Sequence, residues 1–151
     1  MIYVDADACP VKLEAEKVAT RHKHPMVLVS NGGIRPSRNP LVEIVVVPSD
    51  PDAADIWIAD RASAGDVVVT ADIPLAQRVI ENGAVALRPN GDILTDANIG
   101  SQLALRNLAS DLRAADPFRQ SKGGRTFSSS DRSKFLNALE QLLRQSVSQT
   151  G

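Results

Sequence analysis

Short apolar runs alternate along the chain with longer stretches in which apolar residues recur at helical spacing. The runs are Met1–Val4 and residues 26–29, 43–47, 66–70 and 84–87. They are short, rich in β-branched residues and bounded by turn signals, which is typical of strands buried on both faces. The pattern predicts a central, mainly parallel sheet of about five strands.

The stretches between and after these runs predict helices over about 9–22, 52–64, 73–82 and 98–112, and one from about 128. Pro10 suits a first helical turn, and Asn82-Gly83 is a typical helix end. Ser128 and Asp131 match a capping box in front of an apolar helix face. Strands that alternate with helices predict an α/β fold with three α/β/α layers and extra C-terminal helices.

The composition is that of an ordinary globular domain, with 43% hydrophobic and 23% charged residues in 151. We expect one domain over 1–151, with a basic loop and a C-terminal helix at about 116–146 as an appendage. No apolar run approaches the roughly 18 residues of a membrane span, and Met1–Asp5 does not resemble a signal peptide. We therefore expect a cytoplasmic protein without a membrane partner. Cys9 is the only cysteine, which excludes an intrachain disulfide and a thiolate zinc cage.

The net charge of −1 hides an uneven distribution. Residues 1–105 contain 9 basic and 14 acidic side chains, whereas residues 106–151 contain 8 basic and 4 acidic ones. An acidic body with a basic C-terminal segment is compatible with a polyanionic substrate held against a metal site. A solvated helical face beside a loop explains the same distribution without any ligand.

Aspartates follow three of the predicted strands. Asp5 and Asp7 end the first, Asp52 and Asp55 open the helix after the third, and Asp72 follows the fourth. Ligands of parallel sheets bind outside the carboxyl ends of the strands, so these carboxylates are expected to converge. Clustered carboxylates repel one another, and Mg²⁺ or Mn²⁺ relieves that repulsion through oxygen ligands.

Each aspartate also has a structural explanation that requires no metal. Asp7 and Asp72 are suitable helix N-caps, and Asp52 and Asp55 complement the positive end of a helix. Asp5 is harder to explain, because it is the first polar residue after a buried run. The coincidence of aspartates at three strand ends favours a metal site with Asp5, Asp7, Asp55 and Asp72 as ligands.

Several basic residues lie where they can contact a phosphate backbone. Two are in the Gly- and Pro-containing loop 31–41, and three are set among Gly and Ser residues between positions 122 and 132. The predicted nucleic-acid-binding residues are Lys12, Arg35, Arg38, Lys122, Arg125 and Arg132. With few aromatic residues in the chain, base stacking is not expected to dominate binding.

Three blocks resemble the YaiI/YqxD family of uncharacterised bacterial proteins. They are Asp5-Ala6-Asp7-Ala8-Cys9-Pro10-Val11-Lys12, Asp52-Ala53-Ala54-Asp55-Ile56-Trp57-Ile58 and Thr70-Ala71-Asp72-Ile73-Pro74-Leu75-Ala76. Asn98-Ile99, Gly123-Gly124 and Asp131-Arg132-Ser133-Lys134-Phe135 resemble the family's tail, although Arg125 stands where the family tends to have proline. The resemblance covers nearly the whole chain.

The family is similar in pattern to PIN-like nuclease domains, particularly their NYN branch. That more distant resemblance implies a parallel sheet flanked by helices and a Mg²⁺ or Mn²⁺ site in which Asp5, Asp55 and Asp72 are catalytic. Asp7 is an additional ligand candidate from the family's own signature. PIN-like domains often have two acids at the later strand end, whereas Ile73-Pro74 follows Asp72 here.

Three functions remain open at this point. The first is a ribonuclease-like phosphodiesterase that acts on RNA or another phosphodiester through an activated water. The second is a phosphatase in which Asp5 is the nucleophile and Asp7 the acid/base. The third is a non-catalytic module that binds nucleic acid or protein. The sequence does not indicate an oligomeric state.

Overall fold

The computed structural model describes residues 1–6, 9–32, 38–50, 52–101, 104 and 128–150. The strands are β1 (Ile2–Asp5), β2 (Met26–Ser30), β3 (Val42–Val46), β4 (Val67–Val69), β5 (Val85–Leu87) and β6 (Ile93–Leu94). The helices with defined bounds are α1 (Lys12–Arg21), α2 (Ala53–Arg61), α3 (Ile73–Glu81) and α4 (Ser129–Thr150).

The described strands form one six-stranded sheet in the order β3-β2-β1-β4-β5-β6. Strands β1 to β5 are parallel, and Ile2 in β1 lies beside Met26 on one side and Val67 on the other. The carboxyl ends of these five strands therefore lie along one edge of the sheet, as predicted. The chain reverses its order after β3 and continues at β4 on the other side of β1, which creates the crevice where ligands of such sheets bind.

The sixth strand was not predicted. It is only two residues long and pairs antiparallel with β5, with Leu87 beside Ile93. The turn between them includes Gly91 at a φ of +95°, a conformation that favours glycine. A strand of this length is too short to show an alternating pattern, so its pairing depends on the turn and on neighbouring side chains.

The two faces of the sheet are covered by different helix pairs. Helices α1 and α4 pack on the face that includes Ile2 and Val4 of β1. Helices α2 and α3 pack on the opposite face, against residues such as Val29 of β2 and Val68 of β4. These layers confirm the predicted α/β/α architecture. Helix α4 supplies Phe135, which is fully buried.

The predicted capping box at the start of α4 is confirmed by reciprocal hydrogen bonds. The backbone N–H of Ser128 donates to Asp131 Oδ2 at 3.1 Å, and the N–H of Asp131 donates to Ser128 Oγ at 3.2 Å. Asp131 is buried, and these bonds compensate for its removal from water. The cap fixes the point at which the chain enters the last helix.

Most predicted helix bounds are correct to within three residues, and α1 starts later than predicted. It begins at Lys12 rather than near residue 9, because Cys9 and Pro10 belong to a preceding turn in which the Cys9 N–H donates to the Ala6 carbonyl at 3.4 Å. Of the predicted helix 98–112, residues 99–101 and 104 are helical, and most of the remainder lies outside the described residues. No helix in the described part of the chain is both long enough and apolar enough to cross a membrane.

Candidate metal centre

Asp5 is the last residue of β1 and is held by a threonine from the neighbouring strand. The parallel register places Val4 beside Val69, so Thr70 follows β4 next to Asp5. The Thr70 hydroxyl donates to Asp5 Oδ2 at 3.2 Å, and only 2% of Thr70 is exposed. The hydrogen bond orients the Asp5 carboxylate at the carboxyl edge of the sheet.

Thr70 also connects Asp5 with Asp72. The backbone N–H of Asp72 donates to Thr70 Oγ1 at 3.0 Å, while Asp72 Oδ1 accepts from the Leu75 N–H at 3.1 Å. Asp72 is therefore a helix N-cap, with Pro74 in the first turn of α3. This confirms its structural role and leaves its other carboxylate oxygen for a further partner. These hydrogen bonds of Thr70 were not predicted. Its position two residues before an N-cap, where a hydroxyl often hydrogen-bonds the backbone, could have indicated them.

Asp55 reaches the same edge from the first turn of α2. Its pKa is raised to about 6, first by partial burial and then by the negative charges of Asp72 and Asp5. A hydrogen bond to the Asp72 carboxyl raises the pKa further, and Asp52 adds a smaller repulsion. The three aspartates are therefore electrostatically coupled, as expected for carboxylates crowded at one edge.

Two cavities meet at Asp72. The smaller, about 270 Å³, is lined by Asp5, Cys9, Ala71, Asp72 and Pro89. The larger, about 520 Å³, lies between α2 and α3 and includes Asp55 and Asp72. The aspartates thus line accessible space on both sides of the α3 N-terminus, and Pro89 brings the β5–β6 turn to the rim.

Cys9 contributes a thiol to the smaller cavity. It is 7% exposed, and burial raises its pKa to about 11. The side chain is therefore a neutral thiol at physiological pH, which is a weak nucleophile and a weak metal ligand. Cys9 packs in the core as a small hydrophobic residue.

Among the described residues, no three His, Cys, Asp or Glu side chains are arranged as a metal-binding group. Asp7, the fourth predicted ligand, lies outside them. The donor chemistry nevertheless suits Mg²⁺ or Mn²⁺, because all the candidate donors are carboxylate oxygens and Mg²⁺ usually retains several waters beside one or two carboxylates. The close pair Asp55 and Asp72, which share a hydrogen bond, meets that smaller requirement.

The predicted phosphate-contacting residues are only partly described. Lys12 begins α1 close enough to Cys9 to lower the pKa of the thiol slightly, which places its charge near the smaller cavity. Arg132 Nε forms an ion pair with Glu14 Oε1 at 3.2 Å, so its charge is partly compensated. Arg38 is exposed. Arg35, Lys122 and Arg125 lie outside the described residues.

A family model described as "Uncharacterized BCR, YaiI/YqxD family" matches residues 3–145. The chain belongs to the YaiI/YqxD family. All three blocks that carry the aspartates fall within the matched region of this YaiI/YqxD protein, and so does helix α4 except for its last turn. The resemblance seen in the sequence is therefore confirmed.

The curated relatives of this YaiI/YqxD protein are bacterial UPF0178 proteins. One from Roseobacter denitrificans is 64% identical over 97% of this chain and 96% of its own length. One from Cereibacter sphaeroides is 65% identical over 95% of this chain and 88% of its own. A more distant one from Rhodopseudomonas palustris is 54% identical over 95% of this chain and 89% of its own length. No solved structure matches the chain.

Proposed function

We propose that the acidic edge formed by Asp5, Asp55 and Asp72 binds Mg²⁺ or Mn²⁺ and hydrolyses phosphodiester bonds, with RNA as the preferred substrate. The proposal is supported by the aspartates of three separate chain segments, which line two cavities that share Asp72, and by the charges of Asp72 and Asp5, which raise the pKa of Asp55. Helix capping explains Asp72 and the dipole of α2 favours Asp55, but neither explains Asp5 at the end of a buried strand. A charge cluster without a counter-ion is unfavourable, and a divalent cation relieves it.

Each aspartate has a separate task in this proposal. Asp55 and Asp72 are the close pair that would hold the cation, and Asp5 completes the site from the central strand. The Thr70 hydroxyl orients Asp5 through the 3.2 Å hydrogen bond. When bound, the cation would supply charge stabilisation and an activated water for in-line displacement. Lys12 and basic residues of the segment before α4 would contact the substrate backbone.

The first experiment is isothermal titration calorimetry with Mn²⁺. We expect the wild type to bind and Asp5→Asn, Asp55→Asn and Asp72→Asn each to weaken binding about tenfold or more, as loss of a charged ligand implies. Asp60→Asn is the matched control, because Asp60 lies on α2 but is exposed and lines neither cavity. A wild type that binds no divalent cation, with its fold verified by circular dichroism, would contradict the proposal.

Cleavage assays then separate an enzyme from a binding module. Wild-type protein with Mn²⁺ is expected to cleave single-stranded RNA, and the three Asp→Asn variants are expected to lose that activity. Metal binding without cleavage of varied RNA and DNA would favour a non-catalytic module. Trapping of a phosphate mimic on Asp5 would instead favour the aspartyl-nucleophile phosphatase.

A further inference from the structure

The larger cavity continues away from the acidic edge as a cleft between α2 and α3. We infer that this cleft binds the nucleotide next to the reacting phosphodiester of a single-stranded nucleic acid, with Arg78 contacting the phosphate and Ile56 the sugar or base. The inference rests on the proposed function, because it takes the acidic edge as the reaction centre.

The cleft is lined by both acidic and basic side chains. Asp52, Asp55 and Asp72 contribute carboxylates, and Arg78 contributes a guanidinium. Arg78 follows Asp72 by six residues, which corresponds to a rise of about 9 Å along a helix. A strand that places one phosphodiester at a cation held by the aspartates would therefore have an adjacent phosphate within reach of a guanidinium.

Arg78 is available for such a contact. It is exposed, and its side chain forms no ion pair with the other residues in the described ranges. Its position in the last turn of α3 also complements the helix dipole. The interaction with the helix dipole does not involve the cleft. Oligonucleotide binding by an Arg78 variant therefore distinguishes the dipole role from a phosphate contact.

Apolar side chains also line the cleft. Ile56 from α2 is 49% exposed, and Pro74 from α3 lines the same space. Exposed apolar side chains inside a cleft favour a ligand that brings apolar surface of its own. A nucleotide does so through its base and sugar, whereas an inorganic anion would use only Arg78.

The dimensions favour a single strand. A cleft of about 520 Å³ falls within the range of sites that enclose one small molecule. It offers room for one nucleotide unit with its base turned toward Ile56 and Pro74. A duplex keeps its bases paired and stacked and presents only its backbone and base edges, so no base could turn toward Ile56. Both RNA and DNA single strands have the required chemistry.

The experiment measures fluorescence anisotropy of a short labelled oligoribonucleotide and of its DNA equivalent, with and without Mn²⁺, while a gel verifies that the strand is intact. We expect Arg78→Ala to weaken binding about tenfold, the value of one charge-assisted phosphate contact. The slope of log affinity against log salt should fall by about 0.7 for a single strand. Arg78→Lys should restore most of the affinity, and Ile56→Asn should weaken binding without changing the salt slope.

Arg144→Ala is the matched control, because it removes the same charge from an exposed position on α4, a helix that packs on the opposite face of the sheet. Equal binding by wild type and Arg78→Ala would overturn the inference, as would a wild type that binds neither oligonucleotide.

Calorimetry with Mn²⁺ keeps the two proposals separate, since Arg78→Ala should leave metal affinity unchanged. Suppose that Arg78→Ala loses oligonucleotide binding while the wild type binds no Mn²⁺. That result would support nucleotide binding in the cleft and contradict the metal site. A preference between the RNA and DNA probes identifies the natural strand.

Discussion

At the scale of single residues, the raised pKa of Asp55 is the property that the proposed metal site most directly explains. The neighbours of Asp55 on other elements are carboxylates rather than the basic groups that would lower its pKa. A carboxyl that retains its proton to about pH 6 is poorly matched to its surroundings unless a cation binds there. Asp5 and Asp72, in contrast, each accept a hydrogen bond, from the Thr70 hydroxyl and the Leu75 N–H respectively.

This mismatch predicts a pH-dependent stability effect for Asp55→Asn. The folded-state pKa of about 6 exceeds the ordinary value of 3.8, so the folded protein binds more protons than the unfolded chain between those values. Asp55 therefore costs stability as the pH rises through 6. After allowance for solvent screening at this largely accessible group, we expect Asn to raise the free energy of unfolding by roughly 1 kcal/mol at pH 7.5.

The same gain should disappear below about pH 4, where Asp55 is protonated in both states. Urea titrations of wild type and Asp55→Asn across this range, in the presence of EDTA, provide the measurement. Asp60→Asn serves as control. A gain that is constant with pH, or a destabilisation at pH 7.5, would contradict the electrostatic account.

At the scale of elements, the start of α3 combines a cap with a candidate ligand. Asp72 Oδ1 accepts the Leu75 N–H, and an asparagine keeps an equivalent side-chain oxygen whereas an alanine does not. We expect Asp72→Ala to lower the free energy of unfolding by about 1 kcal/mol, and Asp72→Asn to lower it much less. Chemical denaturation measures the difference.

Metal affinity should follow a different pattern in these two variants. Both lose the carboxylate charge, so both are expected to bind Mn²⁺ weakly despite their different stabilities. Calorimetry on the two proteins tests this. If Asp72→Asn retained wild-type metal affinity, Asp72 would be a cap alone.

At the scale of the whole molecule, α4 completes the layer that α1 begins. Arg21 Nη1 contacts Glu140 Oε2 at 2.6 Å, and Lys134 Nζ contacts Asp92 Oδ1 at 2.5 Å near the β5–β6 turn. That turn also carries Pro89, which lines the smaller cavity. The last helix is thus linked to the rim of the acidic edge.

This packing predicts a large effect for Phe135→Ala. The side chain is fully buried against the α1 face of the sheet, so its removal should cost about 3–5 kcal/mol in free energy of unfolding. Asn137→Ala, at an exposed position of the same helix, should change stability by less than about 0.5 kcal/mol. Urea denaturation of both variants provides the comparison, and similar small losses would show that α4 contributes little to the core.

The sequence alone determined the strand–helix alternation, the parallel sheet, the capping box at Ser128 and the aspartates at strand ends. These follow from local periodicity and backbone preferences, which neighbouring residues specify. It did not reveal β6, whose two residues are stabilised by a turn and a partner strand.

Only the tertiary structure decided which aspartates meet and what holds them. Asp5 and Thr70 are 65 positions apart and become neighbours because β4 pairs with β1 on the side opposite β2. The raised pKa of Asp55 and the cleft that Arg78 lines depend on how α2 and α3 pack on one face. Such distances depend on the packing of the whole chain, because burial and charge–charge repulsion act between residues remote in sequence.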